Sequence, residues 1–256
     1  MSAKLLRVTG LTKRFGTFHA VNDVSFEVAE GSIHSIIGPN GAGKTTLFRL
    51  LTGVHAPTSG SVVFEDGPIA GKRPYTIARK GLVQSFQMTS IFPRLTALES
   101  IAAVIVTRSG RSADLLTRFH RAVESEAREL LESVGLGAEA ETEARTLSHG
   151  DQRALDIALA LATHPKLLLL DEPTSGMSPA ETRKTTQLVV ELARSSGLTV
   201  LFSEHDMDVV FEISERVTVL HQGRVIAEGT VAEVQSNPEV MAVYLGEGPV
   251  LEAVAN

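Results

Sequence analysis

The sequence predicts an α/β fold with a helical segment set into it, and three observations carry that expectation. Short runs rich in Val, Ile and Leu recur toward both ends of the chain. The middle, from Ala97 to about Val134, spaces its apolar residues at helical intervals. Leu167–Leu170 is wholly apolar and bounded by Pro165 and Asp171, as expected of a strand buried on both faces of a parallel sheet.

Taken in order, Leu5–Thr9, Val24–Val28 and Ile33–Ile37 read as strands, the first of them an antiparallel β part at the N-terminus. A helix follows from Lys44 to about Thr52, stopped by Gly53 and Pro57, and Ser61–Phe64 is a further strand. In the middle segment Glu124, Arg128 and Glu132 share one helical face, opposite Val123, Leu130, Leu131 and Val134, and no good strand is present. Beyond His164 the pattern reverts. Leu167–Leu170 leads to a helix over Pro179–Arg194, a strand over Leu198–Phe202 and a helix over Asp206–Ile213. Val217–Leu220 and Val225–Glu228 form a hairpin, with Gly223 in its turn free to take positive φ. The expected layout is an α/β core of residues 1–87 and 161–256, built on a mainly parallel sheet, with a helical insert at 88–160.

Composition narrows the chemistry. The 256 residues include no Cys, which removes disulfides, thiolate metal sites and cysteine nucleophiles together. A net charge of −6 argues against binding nucleic acid by charge. The longest apolar runs, Ile101–Val106 and Ile157–Ala162, are six residues, far below the roughly 20 that span a bilayer. Met1–Gly10 lacks the apolar core of a secretory signal. The expectation is a soluble, cytoplasmic protein.

One motif dominates. Ile33–Ile37 runs into Gly38-Pro39-Asn40-Gly41-Ala42-Gly43-Lys44-Thr45, a full match to G-x-x-x-x-G-K-[ST] between a strand and a helix. The glycines let consecutive N–H groups face phosphate oxygens, and the helix start adds partial positive charge. Lys44 would reach the β- and γ-phosphates, the Thr45 hydroxyl would ligate Mg²⁺, and Thr46 completes the binding segment. Leu167-Leu-Leu-Leu-Asp171-Glu172 supplies a second element at the carboxyl edge of a buried strand. Asp171 would hold Mg²⁺, and Glu172 would orient and deprotonate an attacking water. Together these predict the core of a P-loop NTPase that binds a nucleoside triphosphate with Mg²⁺.

Further residues indicate which kind. Leu147-Ser148-His149-Gly150-Asp151-Gln152-Arg153 resembles the L-S-G-G-Q signature of ABC-type ATPases. Gln87 falls at that family's Q-loop, Ser175-Gly-Met-Ser178 at its D-loop, His205 at its switch histidine, and Phe15 where it stacks an aromatic ring on adenine. Singly each is unremarkable: Ser148 is an ordinary helix cap and a lone Phe is usually core. Their joint order from Phe15 to His205 is what carries the resemblance.

The resemblance implies a head-to-tail dimer in which each ATP lies between one subunit's P-loop and the other's signature, here Ser148, His149, Gly150 and Asp151. It also implies that His205 contacts the γ-phosphate, that Gln87 senses Mg²⁺ and water, and that dimer closure drives a membrane permease. Four positions depart from the pattern: Asp151 replaces a Gln, Ser178 an Asp and Phe15 a Tyr, and His149 is a smaller change within the signature, since Ser148 and Gly150 remain. Ser148–Arg153, Gly176-Met-Ser-Pro179 and the ending Asn237-Pro-Glu-Val-Met-Ala-Val-Tyr-Leu-Gly246 look most like ATPase subunits of branched-chain amino acid importers. That subgroup implies permease subunits, a second ATPase subunit, identical or related, and indirectly a solute-binding protein, at the cytoplasmic face of the inner membrane. Lipopolysaccharide-export and urea-uptake ATPases share much of the pattern, and a soluble ABC-type ATPase is the rival outside transport.

Overall fold

The computed structural model describes residues 3–85, 92–110 and 117–245. Strands β1 (Lys4–Phe15) and β2 (Phe18–Ala29) form a long antiparallel hairpin. In β2, Val24, Phe26 and Val28 are buried in strict alternation, the mark of a sheet with one face on the core. Strands β4 (Ser59–Phe64) and β5 (Gly67–Pro68) complete this sheet in the order β2-β1-β4-β5.

The second sheet holds β3 (Ile33–Ile37), β6 (Leu82–Ser85), β7 (Leu167–Asp171), β8 (Thr199–Glu204), β9 (Arg216–His221) and β10 (Arg224–Gly229). Its order is β10-β9-β3-β8-β7-β6, parallel except for the terminal β9–β10 hairpin. Successive side chains on a strand point to opposite faces, so this sheet divides its apolar residues between two cores. Ile36, Leu167, Leu169 and Leu201 pack with Phe26, Phe64 and Phe48, the last from helix α1 (Lys44–Leu51). Ile33, Ile37, Leu168, Leu170 and Phe202 pack on the other face, with Val189 of α6 (Pro179–Ser196) and Val210 of α7 (Met207–Ile213).

A third core joins α3 (Ala97–Ser109), α4 (Thr117–Ser133) and α5 (His149–Leu161) through Ile101, Ile105, Ala127, Leu131 and Leu155. Helix α5 serves two cores: Leu155 and Ala158 face the helical cluster, while Ile157 and Ala160 face the large sheet. The helical stretch expected from Ala97 is two helices. The first ends at Gly110 (φ 66°), the left-handed conformation in which glycine closes helices. Helices α2 (Pro74–Ala78), α8 (Val231–Gln235) and α9 (Pro238–Leu245) cover the edges.

One buried base sits beneath the parallel sheet. His34 on β3 is fully buried; its Nε2 meets Thr218 Oγ1 at 2.8 Å, and Nδ1 has no hydrogen-bond partner among the described residues. Burial, with Arg216 as a smaller contributor, pushes its pKa down to about 3. The folded state therefore binds fewer protons than the unfolded chain below the ordinary histidine value near 6.5. Stability is undiminished above about pH 6.5 and declines as pH falls toward 3, by about 2 kcal/mol at pH 5 from this group. His34→Gln is expected to flatten that part of the profile in urea unfolding between pH 7 and 5. Equal slopes in the variant and the parent would contradict the assignment.

Candidate functional site

The glycine-rich loop predicted to bind phosphates follows β3 and is shaped by close backbone approaches. A Cβ on Gly38 (φ 152°) would stand 2.1 Å from the Leu220 carbonyl oxygen, and one on Gly43 (φ 107°) 2.4 Å from that of Ala20. Only glycine fits either position. Helix α1 starts at Lys44 behind Gly43, which has no side chain to cap it, and its first turn carries no acid. Its N-terminus thus carries neither a side-chain cap nor an acid, and its positive dipole end favours an anion. The Gly223 N–H, in the β9–β10 turn, donates to the Ala42 carbonyl at 2.9 Å, and the Asn22 N–H of β2 donates to the Gly223 carbonyl at 2.7 Å. Lys44 is 5% exposed; its Nζ donates to the carbonyls of Gly38 at 2.6 Å and Pro39 at 3.4 Å. Residues 40–46 line a cavity of about 270 Å³ together with Phe18, Ala20 and Glu172.

Asp171 ends β7, with Oδ1 accepting the Ser203 hydroxyl at 2.5 Å. Glu172 is in the left-handed region (φ 47°), a strained conformation for a non-glycine residue. Its N–H is held there by both the carbonyl and the hydroxyl of Ser203, each at 3.1 Å. The adjoining β8 ends at Glu204, fully buried, whose carboxylate accepts from the Thr174 N–H and hydroxyl at 2.9 and 2.6 Å and from the His205 N–H at 3.1 Å. His205 itself is exposed, outside the cavity lining, with Nδ1 3.7 Å from Glu204 Oε2.

The signature-like segment opens α5. Ser148 caps the helix, its hydroxyl accepting from the Asp151 N–H at 3.2 Å and donating to Asp151 Oδ2 at 2.7 Å. The other Asp151 oxygen meets Lys184 Nζ of α6 at 3.2 Å. The acid at this position is therefore turned onto α6 and paired with a cation. Ser178 caps α6 in a reciprocal box with Glu181. The Ser178 hydroxyl and N–H, then the Gly150 amide, hold the Glu181 carboxyl below its ordinary range. Ser148 and His149 are exposed.

The structure thus gathers residues 40–46 and Glu172 around one cavity, with Asp171 next to Glu172, and places Phe15, His205 and the signature segment away from it. Gln87 lies outside the described residues.

The sequence profile described as ABC transporter matches residues 21–175 of this chain. The chain belongs to the ABC transporter family. A second profile, described as branched-chain amino acid ATP-binding cassette transporter, matches residues 224–250 of the cassette. The high-affinity branched-chain amino acid transport ATP-binding protein LivG of Salmonella typhimurium is 42% identical over 254 residues, covering 96% of the cassette and 100% of that protein. The corresponding protein BraF of Pseudomonas aeruginosa is 41% identical over 256 residues with the same coverage. Among solved structures, an ATP-binding cassette of an ABC transporter in its ADP conformation matches with a TM-score of 0.83 and 32% identity over 96% of this chain and 100% of that one. A dimeric cassette in a post-hydrolysis state, bound to ADP and phosphate, matches with a TM-score of 0.75 and 27% identity over 88% and 98%.

The cassette also contains functional candidates that the sequence did not reveal. Phe18, 63% exposed, lines the cavity, whereas Phe15 packs edge-on against His55 at 5.5 Å with Lys13 Nζ 5.1 Å from its ring. The two phenylalanines are paired across the β1–β2 hairpin. The available signal was the short Phe15–Phe18 spacing, which turns two aromatic residues back on each other. The buried Glu204 carries no motif signal readable in a single sequence, and Arg153 occurs there only as the end of the signature-like segment, with no role of its own.

Proposed function

We propose that this cassette is the ATP-hydrolysing subunit of an importer for branched-chain amino acids or similar small polar solutes, acting on a separate permease. The observation carrying the reading is the glycine-shaped loop with Glu172 on the same cavity, in a chain that matches LivG and BraF along nearly its whole length. The loop amides and Lys44 bind the phosphates of ATP, and an aromatic ring of the β1–β2 hairpin, Phe15 or Phe18, contacts the base. Among the described residues no cluster of three or more His, Asp and Glu could hold a metal alone. A Thr45 hydroxyl, the Asp171 carboxylate and Gln87 fit Mg²⁺, a hard ion taken up by few protein oxygens plus phosphates. Bound there, Mg²⁺ would neutralise charge on the phosphates. Glu172 orients and deprotonates the attacking water, and His205 moves to the γ-phosphate when a second cassette closes over the site. Ser148, His149, Gly150 and Asp151 face that second cassette's nucleotide, whether the subunit is identical or related. Closure follows because ATP binds the closed dimer better than the open one.

The core of residues 1–87 and 161–256 carries the nucleotide, and the helical part, 88–160, moves with the signature; the separate apolar cluster of α3, α4 and α5 supports this division. Between α2 and α3 lies a groove of about 920 Å³ with Tyr75, Phe92, Arg79 and Lys80 on its walls. Tyr75 and Phe92 are 57% and 45% exposed. In this reading the permease inserts a cytoplasmic segment there, so the cassette sits peripherally on the cytoplasmic face of the inner membrane. Among the described residues no helix is long and apolar enough to cross it. A solute-binding protein delivers substrate on the far side, and no nucleic acid takes part.

The test is reconstitution with the permease and solute-binding protein in liposomes. ATP-dependent uptake of radiolabelled leucine is expected, and Tyr75→Asp is expected to lower it about tenfold by putting a charge into the groove. Absence of leucine, isoleucine and valine uptake in an assembled, ATP-hydrolysing complex would overturn the branched-chain amino acid reading.

A further inference from the structure

A buried polar cluster joins three elements beneath the candidate site. Ser85, the last residue of β6, donates its hydroxyl to Asp156 Oδ2 at 2.8 Å. Arg153, one turn earlier on α5, donates Nη1 to the same oxygen at 3.1 Å and Nη2 to the main-chain carbonyl of Asp171 at 3.3 Å. The two charged side chains are 6% and 3% exposed. The guanidinium faces the carboxylates of Asp156, Asp171 and Glu204, which oppose the effect of its burial. From Asp171 the contacts continue through the Ser203 hydroxyl to the N–H of Glu172. The helix that carries Arg153 begins at the Ser148 cap, five residues earlier and about 7.5 Å along the axis.

We propose that Arg153, held by Asp156, is a positioning residue that sets Asp171 and Glu172 for the metal and water and ties their placement to the signature segment on the same helix. A buried ion pair is a poor source of stability, because apolar side chains of similar volume fill such a place as well or better. What the pair adds is direction. The planar fork of Arg reaches a carboxylate and a carbonyl on different elements at once, which neither Lys nor an apolar residue does. A shift of α5 when a second cassette engages Ser148 is thereby passed to the Asp171 carbonyl of the chain's own site.

The proposal rests on Asp171 and Glu172 being the metal and water residues, and the experiment separates the two failures. The full-length chain is titrated with Mg²⁺ at fixed ATP, reading the ATP-dependent rise in melting temperature, and kcat is measured alongside. The double variant Arg153→Met/Asp156→Leu, which removes both charges, is expected to melt near the parent without ligand. It is expected to need about tenfold more Mg²⁺ for half-maximal stabilisation and to lose about tenfold in kcat, with metal-free ATP affinity unchanged. Arg153→Lys should recover only part of the loss. Should the double variant fail to fold, Ser85→Ala and Asp156→Asn are expected to shift the Mg²⁺ requirement in the same direction, by about two- to threefold. An unchanged Mg²⁺ requirement in the folded variants overturns the proposal. If Asp171→Asn also leaves that requirement unchanged, the metal assignment is what has failed.

Discussion

Glu172→Gln is expected to bind ATP as the parent does and to lose at least about 100-fold in turnover, the usual contribution of a positioned general base. The substitution keeps the side chain's size and the left-handed backbone at φ 47°, which the two Ser203 contacts hold independently of the carboxyl. It removes only the ability to accept a proton from water. Since ATP then persists, the closed dimer should accumulate, visible as a doubled mass by light scattering in ATP but not in ADP. Turnover at the parental rate would remove Glu172 from the role of base.

Lys44→Ala is expected to weaken ATP binding about 100-fold, or about 3 kcal/mol, measured by calorimetry without turnover. The lysine is already nearly buried, its ammonium lodged on the carbonyls of Gly38 and Pro39 at 2.6 and 3.4 Å. Incoming phosphate oxygens exchange these neutral acceptors for charged ones, and charge-assisted bonds are the stronger kind. The loop itself should survive, because its shape is set by Gly38, Gly43 and the Ala42–Gly223 bond rather than by Lys44. Undiminished affinity would defeat the assignment of the loop to the phosphates.

Elements whose signal is local were legible in the sequence. β3 spans Ile33–Ile37 and α1 begins at Lys44 as expected, because a buried apolar run meets a glycine turn and a helix with nothing else competing. β7 was legible for the same reason, extended by one residue to Asp171. β6 was not: its four residues, Leu82–Ser85, become a strand only by pairing with β7, more than 80 positions away. The break between α3 and α4 was hidden because both helices present apolar residues to one core at the same period. At the site, glycine and lysine carry their chemistry in their identities, so the loop was readable. The turn of Asp151 onto Lys184, the cavity-facing Phe18 and the Arg153–Asp156 pair depend on contacts across elements, to which local patterns are blind.

The Asn22–Gly223–Ala42 hydrogen bonds bear on the order in which the protein is made. The glycine-rich loop is synthesised early, yet the turn that pins it lies some 180 residues later, and both sheet neighbours of β3, namely β8 and β9, are also late. A nascent chain released from the ribosome only as far as residue 200 holds every letter of the glycine-rich motif and the Ala20 carbonyl beside Gly43, but not the Leu220 carbonyl beside Gly38 or the Gly223 turn. The final shape of the loop is therefore expected only near the end of translation.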